Sequence, residues 1–493
     1  MPQGIMALFF IQIVATLSFS VLYSTLVLYM RDKLAMSATT ANSIMGVFIA
    51  FNYALHLLGG IWSGRFLSNR TLFALGMLAQ ALGCVVLVFP DDSYLYYGLA
   101  IYLTGSGLNV TSLNCMLTQR FSADDIRREK AFLWTYAGMN IGFFIGYTVS
   151  GFFQLTQNYQ QLFFLGSLGN VLALMICLYC WKQLSDKDTL LSRREKKDQQ
   201  RYRLAGLLSI FILPFILTGI IHYSAWANKL VLFTGAVMFL GLLVFAYQQP
   251  EKKEKQKLIA FAILMLISTV FWMLYQTSPM GLTFFIAHNV QRSVGGFIIP
   301  PQWFQNINTF SIIIGGPLLG ILFSKMRARS IQIDIPGQFA MALLLIGCAF
   351  VFLPISIYFA DAEGMVSPWW IVLSYMLQSF GELLISPIGF AMIGSLASAP
   401  LQGMMMGMWM LNTGVGATLA SYGSNLMTDH SDRVIPLLTN ARYSHVFLIL
   451  GLVALISSGL LWLIIPWLRS LMYERKRLSC PDLNLDSVRV ACE

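Results

Sequence analysis

Mostly apolar runs of roughly twenty residues recur along almost the whole chain. A helix needs roughly 20 such residues to cross the hydrocarbon core of a bilayer. The runs lie near 4–30, 41–64, 71–89, 94–118, 132–155 and 162–181, then 204–221 and 230–247. Six more follow near 258–287, 303–323, 337–359, 367–393, 402–426 and 444–468. Short polar segments separate them. The pattern predicts an all-α polytopic membrane protein whose fourteen helices are grouped six, two and six. The boundaries expected from it are a six-helix bundle over 1–182, a basic linker with an inserted helix pair over 183–257, a second six-helix bundle over 258–470, and a tail over 471–493. The first run is long enough to span a bilayer and carries no evident cleavage signal, so it reads as the first helix.

Charge fixes the expected orientation. Placing both termini in the cytoplasm puts 26 Lys and Arg on the cytoplasmic side and six opposite: Arg31, Lys33, Lys229, Arg292, Arg433 and Arg442. Such an excess is the positive-inside signature. The composition agrees. Hydrophobic residues make up 57% of the chain and charged residues 11%, against roughly 25% charged in soluble domains. An ordinary soluble enzyme is therefore excluded, and no nucleophile–base set or metal cluster stands out in the loops. No metal or cofactor is expected. The net charge of +10 is dispersed between apolar runs, which suits a lipid bilayer and not a nucleic acid. Cys177 and Cys180 form a C-x-x-C, but within an apolar stretch where packing is the expected role.

The two six-helix groups look related. The second helix of one ends Gly60-Ile-Trp-Ser-Gly-Arg65; its counterpart ends Gly320-Ile-Leu-Phe-Ser-Lys325. Each sets a small residue five positions before a cation at a cytoplasmic helix end. Paired bundles with a central site suit a transporter.

Of the 22 acidic residues, only Glu382 falls deep inside a span. No Lys or Arg lies comparably deep. An unpaired carboxylate in hydrocarbon costs several kcal/mol, so Glu382 is expected to face a cavity or meet a cation. Gln378, Glu382 and Ser386 share one helix face. His56 is the other ionisable group of note within a span, read as packing or as a proton relay. Further polar positions at helical spacing are Gln12, Thr16, Ser20 and Tyr23; Tyr136 and Asn140; Trp272 and Gln276; Asn308; and Trp409 and Asn412. Each is either glue between helices or a ligand contact. Together they describe a neutral, amide- and aromatic-lined cavity with one negative group, suited to a small solute bearing an amino group.

At these residues the chain resembles the proton-dependent oligopeptide transporter (POT/PTR) family of the major facilitator superfamily, especially its bacterial di- and tripeptide permeases. The resemblance runs over nearly the whole sequence. Its most specific stretches are FWMLYQTSPMGLTFFIAHNV (271–290), PPQWFQNIN (300–308), SPWWIVLSYMLQSFGELLISPIG (367–389) and GMMMGMW (403–409). It implies a major facilitator fold of twelve core helices plus the inserted pair, alternating access, and a site between the halves. Glu382 matches the family glutamate that receives a peptide amino terminus. Asn140 and Asn308 match site asparagines. Tyr53, Trp272, Ser386 and Trp409 match pocket-lining positions.

The departures share one direction. The family's first-helix E-x-x-E-R-F-x-Y-Y-G is here Gln12-Ile-Val-Ala15-Thr16-Leu-Ser-Phe19-Ser20-Val, without its glutamates, arginine or tyrosines. The family lysine of G-x-G-x-x-K-P is lost in Gly105-Ser-Gly107-Leu-Asn109-Val110. The acid that many members place one turn after Trp272 is Gln276, and the loop-motif aspartate is Gly64. Acids for proton coupling and cations for a substrate carboxylate have gone together, as desolvation demands: a buried cation without its partner would be costly. The expected function is an inner-membrane, alternating-access carrier of small amino-bearing solutes, like the di- and tripeptide permeases, with reduced or altered proton coupling. Substrate-binding candidates are Glu382, Asn140, Asn308, Tyr53, Trp272, Gln276, Ser386, Trp409 and Asn109. Glu382 and His56 are the candidates for proton coupling. The alternatives are a facilitative or antiport carrier of amines or amino-acid derivatives, and a non-transporting receptor or assembly protein.

Overall fold

The structure is a computed structural model that describes residues 2–122, 125, 127–187, 189–329, 334–396, 401–428 and 435–472. Arg433 and most of the tail, with Cys480, Cys492 and its basic residues Arg475, Lys476, Arg477 and Arg489, lie outside the described residues.

Among the described residues the chain forms α1 (Ile5–Asp32), α2 (Ala38–Trp62), α3 (Asn69–Leu87), α4 (Asp92–Thr118), α5 (Arg127–Leu155) and α6 (Tyr159–Tyr179). The inserted pair is α7 (Lys196–His222) and α8 (Ser224–Gln248). Then come α9 (Lys252–Tyr275), a π-turn (Ser278–Leu282) and α10 (Thr283–Asn289), which together make one crossing, Lys252–Asn289. A two-residue hairpin, β1 (Ser293–Val294) and β2 (Phe297–Ile298), precedes α11 (Pro301–Ala328), α12 (Ile335–Tyr358), α13 (Pro368–Leu396), α14 (Gln402–Met427) and α15 (Pro436–Met472). Every apolar run corresponds to one long helical crossing. Eleven are long and apolar enough by composition to span a membrane. The other three, α4, α5 and α14, carry the Gly, Ser, Thr and Asn that let helices pack closely in lipid.

Short polar residues start several helices. The Ser37 and Ser68 hydroxyls accept from the backbone N–H of Thr40 and Thr71, and Asp91 accepts from Ser93. Each satisfies a donor that the first helical turn leaves free. Helices α1–α6 pack chiefly on one another, as do α9 and α11–α15. The two groups meet along two seams, α2 with α14 and α5 with α11. Pro279 breaks the crossing that holds Trp272: it lacks an N–H and clashes with the preceding turn. Backbone groups freed there find side chains. Gly281 N–H donates to Ser424 Oγ at 3.0 Å, and Thr283 Oγ1 donates to the Ser278 carbonyl at 2.7 Å. At Pro317, Pro354 and Pro387 the helices continue unbroken.

Two arginines counted as orientation charges do a second job. Arg120 is buried and donates to the Ser185 carbonyl at 3.1 Å; Arg70 donates to the Trp181 carbonyl at 2.7 Å and lies over the Trp181 ring. Asp186 accepts from the Asn69 backbone N–H at 2.9 Å. The loop after α6 is thereby pinned to the ends of α3 and α4. Burial pushes the Asp186 carboxyl above its ordinary range, opposed by the Asn69 bond and by the charges of Arg70 and Arg120.

Helices α3 and α4 touch where Gly76 and Gly105 face each other, each with no room for a side chain against the other's carbonyl. Gly105→Val is expected to lower stability by about 1–3 kcal/mol, the usual cost of overpacking. Gly219→Ala, at a position with open space around it, is expected to leave the melting temperature in detergent unchanged. Equal melting of the two variants would contradict the close approach.

Candidate functional site

Glu382 sits midway along α13, where that helix passes α11 and the break in α9. Asn308 on α11 donates from Nδ2 to Glu382 Oε2 at 2.9 Å and to Ser379 Oγ at 3.0 Å. The Tyr275 hydroxyl, in the last turn of α9, lies close to the same carboxyl group. Tyr23 from α1, Tyr53 from α2, and Tyr136 and Tyr147 from α5 lie near enough to feel its charge. Glu382 is half-buried inside this ring of phenols, so its carboxylate faces an internal space between the halves and not lipid. Among the described residues no cation neutralises it: the groups acting on it are Asn308 and Tyr275. The ion pairs seen elsewhere, Arg127–Asp125 and Arg469–Asp334, lie in loops and at helix ends.

A neutral bridge crosses the middle of the molecule. Tyr23 donates to Gln276 Oε1 at 2.9 Å, and Tyr53 lies close to the same amide. Gln276 follows the last residue of α9, immediately before the π-turn, and is buried.

The remaining candidates divide by place. Tyr53, Asn308 and Ser386 are half-buried, as Glu382 is. Asn140 is buried and donates to the Tyr136 carbonyl one turn earlier on α5. Trp272 is buried against Gly416, Phe271 and Tyr275, with its indole N–H unpartnered. Trp409 is buried over Gly389 and Phe339, between α13, α14 and α12. Asn109 is buried, with its Cβ close to Gly76 in the α3–α4 contact. His56 is buried beside Tyr53 with Nε2 unpartnered. Gln378 turns toward Ser374 at 3.1 Å, and Ser374 in turn donates to the Ala349 carbonyl on α12. Asn412 ties α14 to α9, donating to the Met265 carbonyl and Ser268 and accepting from Thr269. Sequence reasoning passed over Tyr275 and Tyr147. Tyr147 stands seven residues after Asn140, two turns along the same face, and that spacing was a usable signal.

The space around Glu382 is sealed at the end of the molecule that carries the α1–α2 turn. There Trp303 Nε1 donates to the Thr148 carbonyl at 3.0 Å, Asn306 to Thr148 Oγ1 at 3.0 Å, and Gln302 to Gln154 at 3.2 Å, all across the α5–α11 seam. Toward the opposite end α5 and α11 expose Leu133, Trp134, Leu318, Ile321 and Leu322. An apolar recess of about 560 Å³ on the α5–α11 seam, lined by Phe144, Phe152, Phe310 and Phe380 among others, does not include Glu382.

A family model described as the POT family matches residues 67–442. Dipeptide and tripeptide permease A of Cronobacter turicensis is 30% identical over 483 residues, covering 96% of this chain and 94% of the permease. Dipeptide and tripeptide permease B of Xenorhabdus bovienii is 28% identical over 481 residues, covering 96% and 97%. Among solved structures, a mutant peptide transporter POT in complex with alafosfalin superposes with a TM-score of 0.85 at 24% identity over 96% of each chain. A POT family transporter in complex with 5-aminolevulinic acid gives 0.81 at 20% identity, over 95% of this chain and 97% of that one.

Asn308 and Asn412 separate the two kinds of buried amide. Asn308→Ala is expected to weaken binding of an amino-bearing ligand by about tenfold, through loss of a charge-assisted hydrogen bond. Asn412→Ala is expected to lower the melting temperature and leave ligand affinity of the folded protein near the parent's. Isothermal titration with a melting curve on each variant checks both; the reverse pattern would contradict the assignment.

Proposed function

The chain belongs to the POT family, and from that premise we propose that it carries di- and tripeptides and related small amino-bearing solutes across a bacterial inner membrane by alternating access, with weakened proton coupling. The observation that carries this reading is the unpaired Glu382 carboxylate facing the interior between the halves, with Asn308 as its partner and Tyr275 close by. An ammonium group is the complement such a site lacks. The contact gains strength from a site of low dielectric, where water competes least. Asn308 donates to the carboxylate and so orients it, with Tyr275 close by, leaving acceptor capacity for the incoming N–H groups. The relatives' names supply the solute class. Tyr53, Asn140, Trp272, Ser386 and Trp409 are proposed to shape the pocket, and Gln276 to join its two sides. We place both termini in the cytoplasm on the 26-to-6 distribution of Lys and Arg.

The weakened coupling follows from competition. A proton and an ammonium group cannot both be held by one carboxylate. With the neutral Tyr23–Gln276 contact at a level where the resemblance places an acid in other members, Glu382 has no acidic relay partner among the described spans. His56 is the remaining titratable candidate, and it faces Tyr53.

Uptake into liposomes tests both parts. Glu382→Gln is expected to weaken peptide binding about 10- to 100-fold, the range for a charged hydrogen bond, and to abolish uptake at low substrate. An inward proton gradient is expected to change wild-type uptake less than about twofold, since a factor of 10 would require about 1.4 kcal/mol of coupling. Full transport by the variant would remove Glu382 from the mechanism; strong gradient-driven accumulation would restore obligatory symport.

A further inference from the structure

The inserted pair has no part in the reading so far, yet it is not loosely attached. Helix α7 lies against α4 in the first half, while α8 contacts α2, α14 and α9 and so reaches both halves. The buried residues of α8 form one stripe: Ser224, Ala227, Asn228, Val231, Gly235, Leu242 and Ala246. Trp226, Leu230 and Phe233 on the other side are exposed, as a lipid-facing surface would be, while Met238, Phe239, Leu243 and Phe245 are half-buried against the core of the second half.

Three helices converge on Ser43 at the sealed end. Asn228 of α8 donates from Nδ2 to the Ser43 carbonyl on α2 at 3.0 Å. Asn425 of α14 donates to Ser43 Oγ at 3.3 Å. One turn on, Gly46 leaves the space that Ser421 of α14 and Asn228 Oδ1 fill: a Cβ there would lie 2.7 Å from Ser421 Cβ and 3.3 Å from Asn228 Oδ1. Two turns along α8, Gly235 admits Val415 of α14 in the same way. The apolar packing is continuous across this point. Leu217 and Ile221 of α7 and Ala227 of α8 share one buried cluster with Ile44, Met45 and Phe48 of the first half and Met280, Phe284, Ala417 and Ala420 of the second.

We propose that α8 is a strap, bonded to the first half through Asn228 and seated on the second through Gly235, that holds the α2–α14 seam shut at the sealed end. Access from that side requires α2 to part from α14 there. Parting separates Ser43 from Asn425 and leaves α8 able to follow only one of the two helices. Either choice strips buried contacts from the other. The strap therefore biases the resting carrier toward the state seen here. The hydrogen bonds at Ser43 are neutral, strong enough to set an equilibrium and too weak to freeze it. The proposal rests on alternating access and not on which solute Glu382 receives.

The test is a spin-label distance measurement without substrate, on the full chain in lipid nanodiscs. Labels go at the exposed Ser93, in the first turn of α4, and the exposed Ala362, in the turn before α13 on the same end, with the seven native cysteines replaced. The parent is expected to show mainly the short-distance population. Asn228→Leu, and independently Gly235→Leu, are expected to raise the ratio of long to short distances about two- to tenfold, the loss of one buried hydrogen bond or its packing equivalent. Leu230→Ala, on the exposed face, is expected to change nothing. Asn228→Ala replaces the leucine variant if size-exclusion shows the latter misfolded. Folded, monodisperse variants that superimpose on the parent distribution would overturn the strap. So would a parent already open at this end. Because no ligand is present, either result is independent of Glu382.

Discussion

The carboxylate of Glu382 is held by a neutral amide, among phenols, with no cation of the described residues to balance it. Removing such a charge from water without a partner costs several kcal/mol, and the usual remedy is an internal ion pair. This chain keeps the site unpaired and arranges donors around it instead. Asn308 reaches it from α11, Tyr275 from the last turn before the π-turn, and the first half contributes only hydroxyl-bearing rings. The break at Pro279 belongs to the same arrangement, because it ends α9 at the level where Tyr275 and Gln276 turn inward.

Neutrality extends from the site to the joints. The halves are linked at Tyr23–Gln276, Trp303–Thr148, Asn306–Thr148, Gln302–Gln154 and Asn425–Ser43, all amide, hydroxyl or indole contacts. Contacts of this kind break at modest cost and are insensitive to pH in the range where carboxylates and histidines titrate. A carrier built on them changes state by repacking, with small residues such as Gly46 and Gly151 setting how closely the seams close. The half-buried Arg70 and the buried Arg120 stand apart, at the opposite end, where they hold a loop of their own half.

The fold was legible in the sequence because the bilayer imposes a length and a polarity on every span. Each apolar run became a helical crossing, and the interior acid was found from hydropathy alone. What was harder to read was direction. Gln378, one turn from Glu382 on the same nominal face, turns to Ser374, and Asn412 spends its amide on Met265, Ser268 and Thr269. A polar residue in a span says that it needs a partner; only packing decides whether that partner is a neighbouring helix or a solute. Pro279 differs from Pro317, Pro354 and Pro387 for the same reason. Ser424 accepts the freed Gly281 N–H there, a rescue that no local pattern announces. Arg70 and Arg120 read only as orientation charges because their acceptors, the Trp181 and Ser185 carbonyls, are more than sixty residues away in sequence.

The most direct measurement compares a free dipeptide with the same dipeptide N-acetylated, by calorimetric titration of the purified wild-type protein. Acetylation removes the positive charge and leaves the peptide backbone and carboxylate intact. If an unpaired carboxylate is what the pocket offers, the free peptide binds and the acetylated one loses about 10- to 100-fold in affinity, as expected for a charged hydrogen bond. Equal affinity for the two would contradict the account at its root.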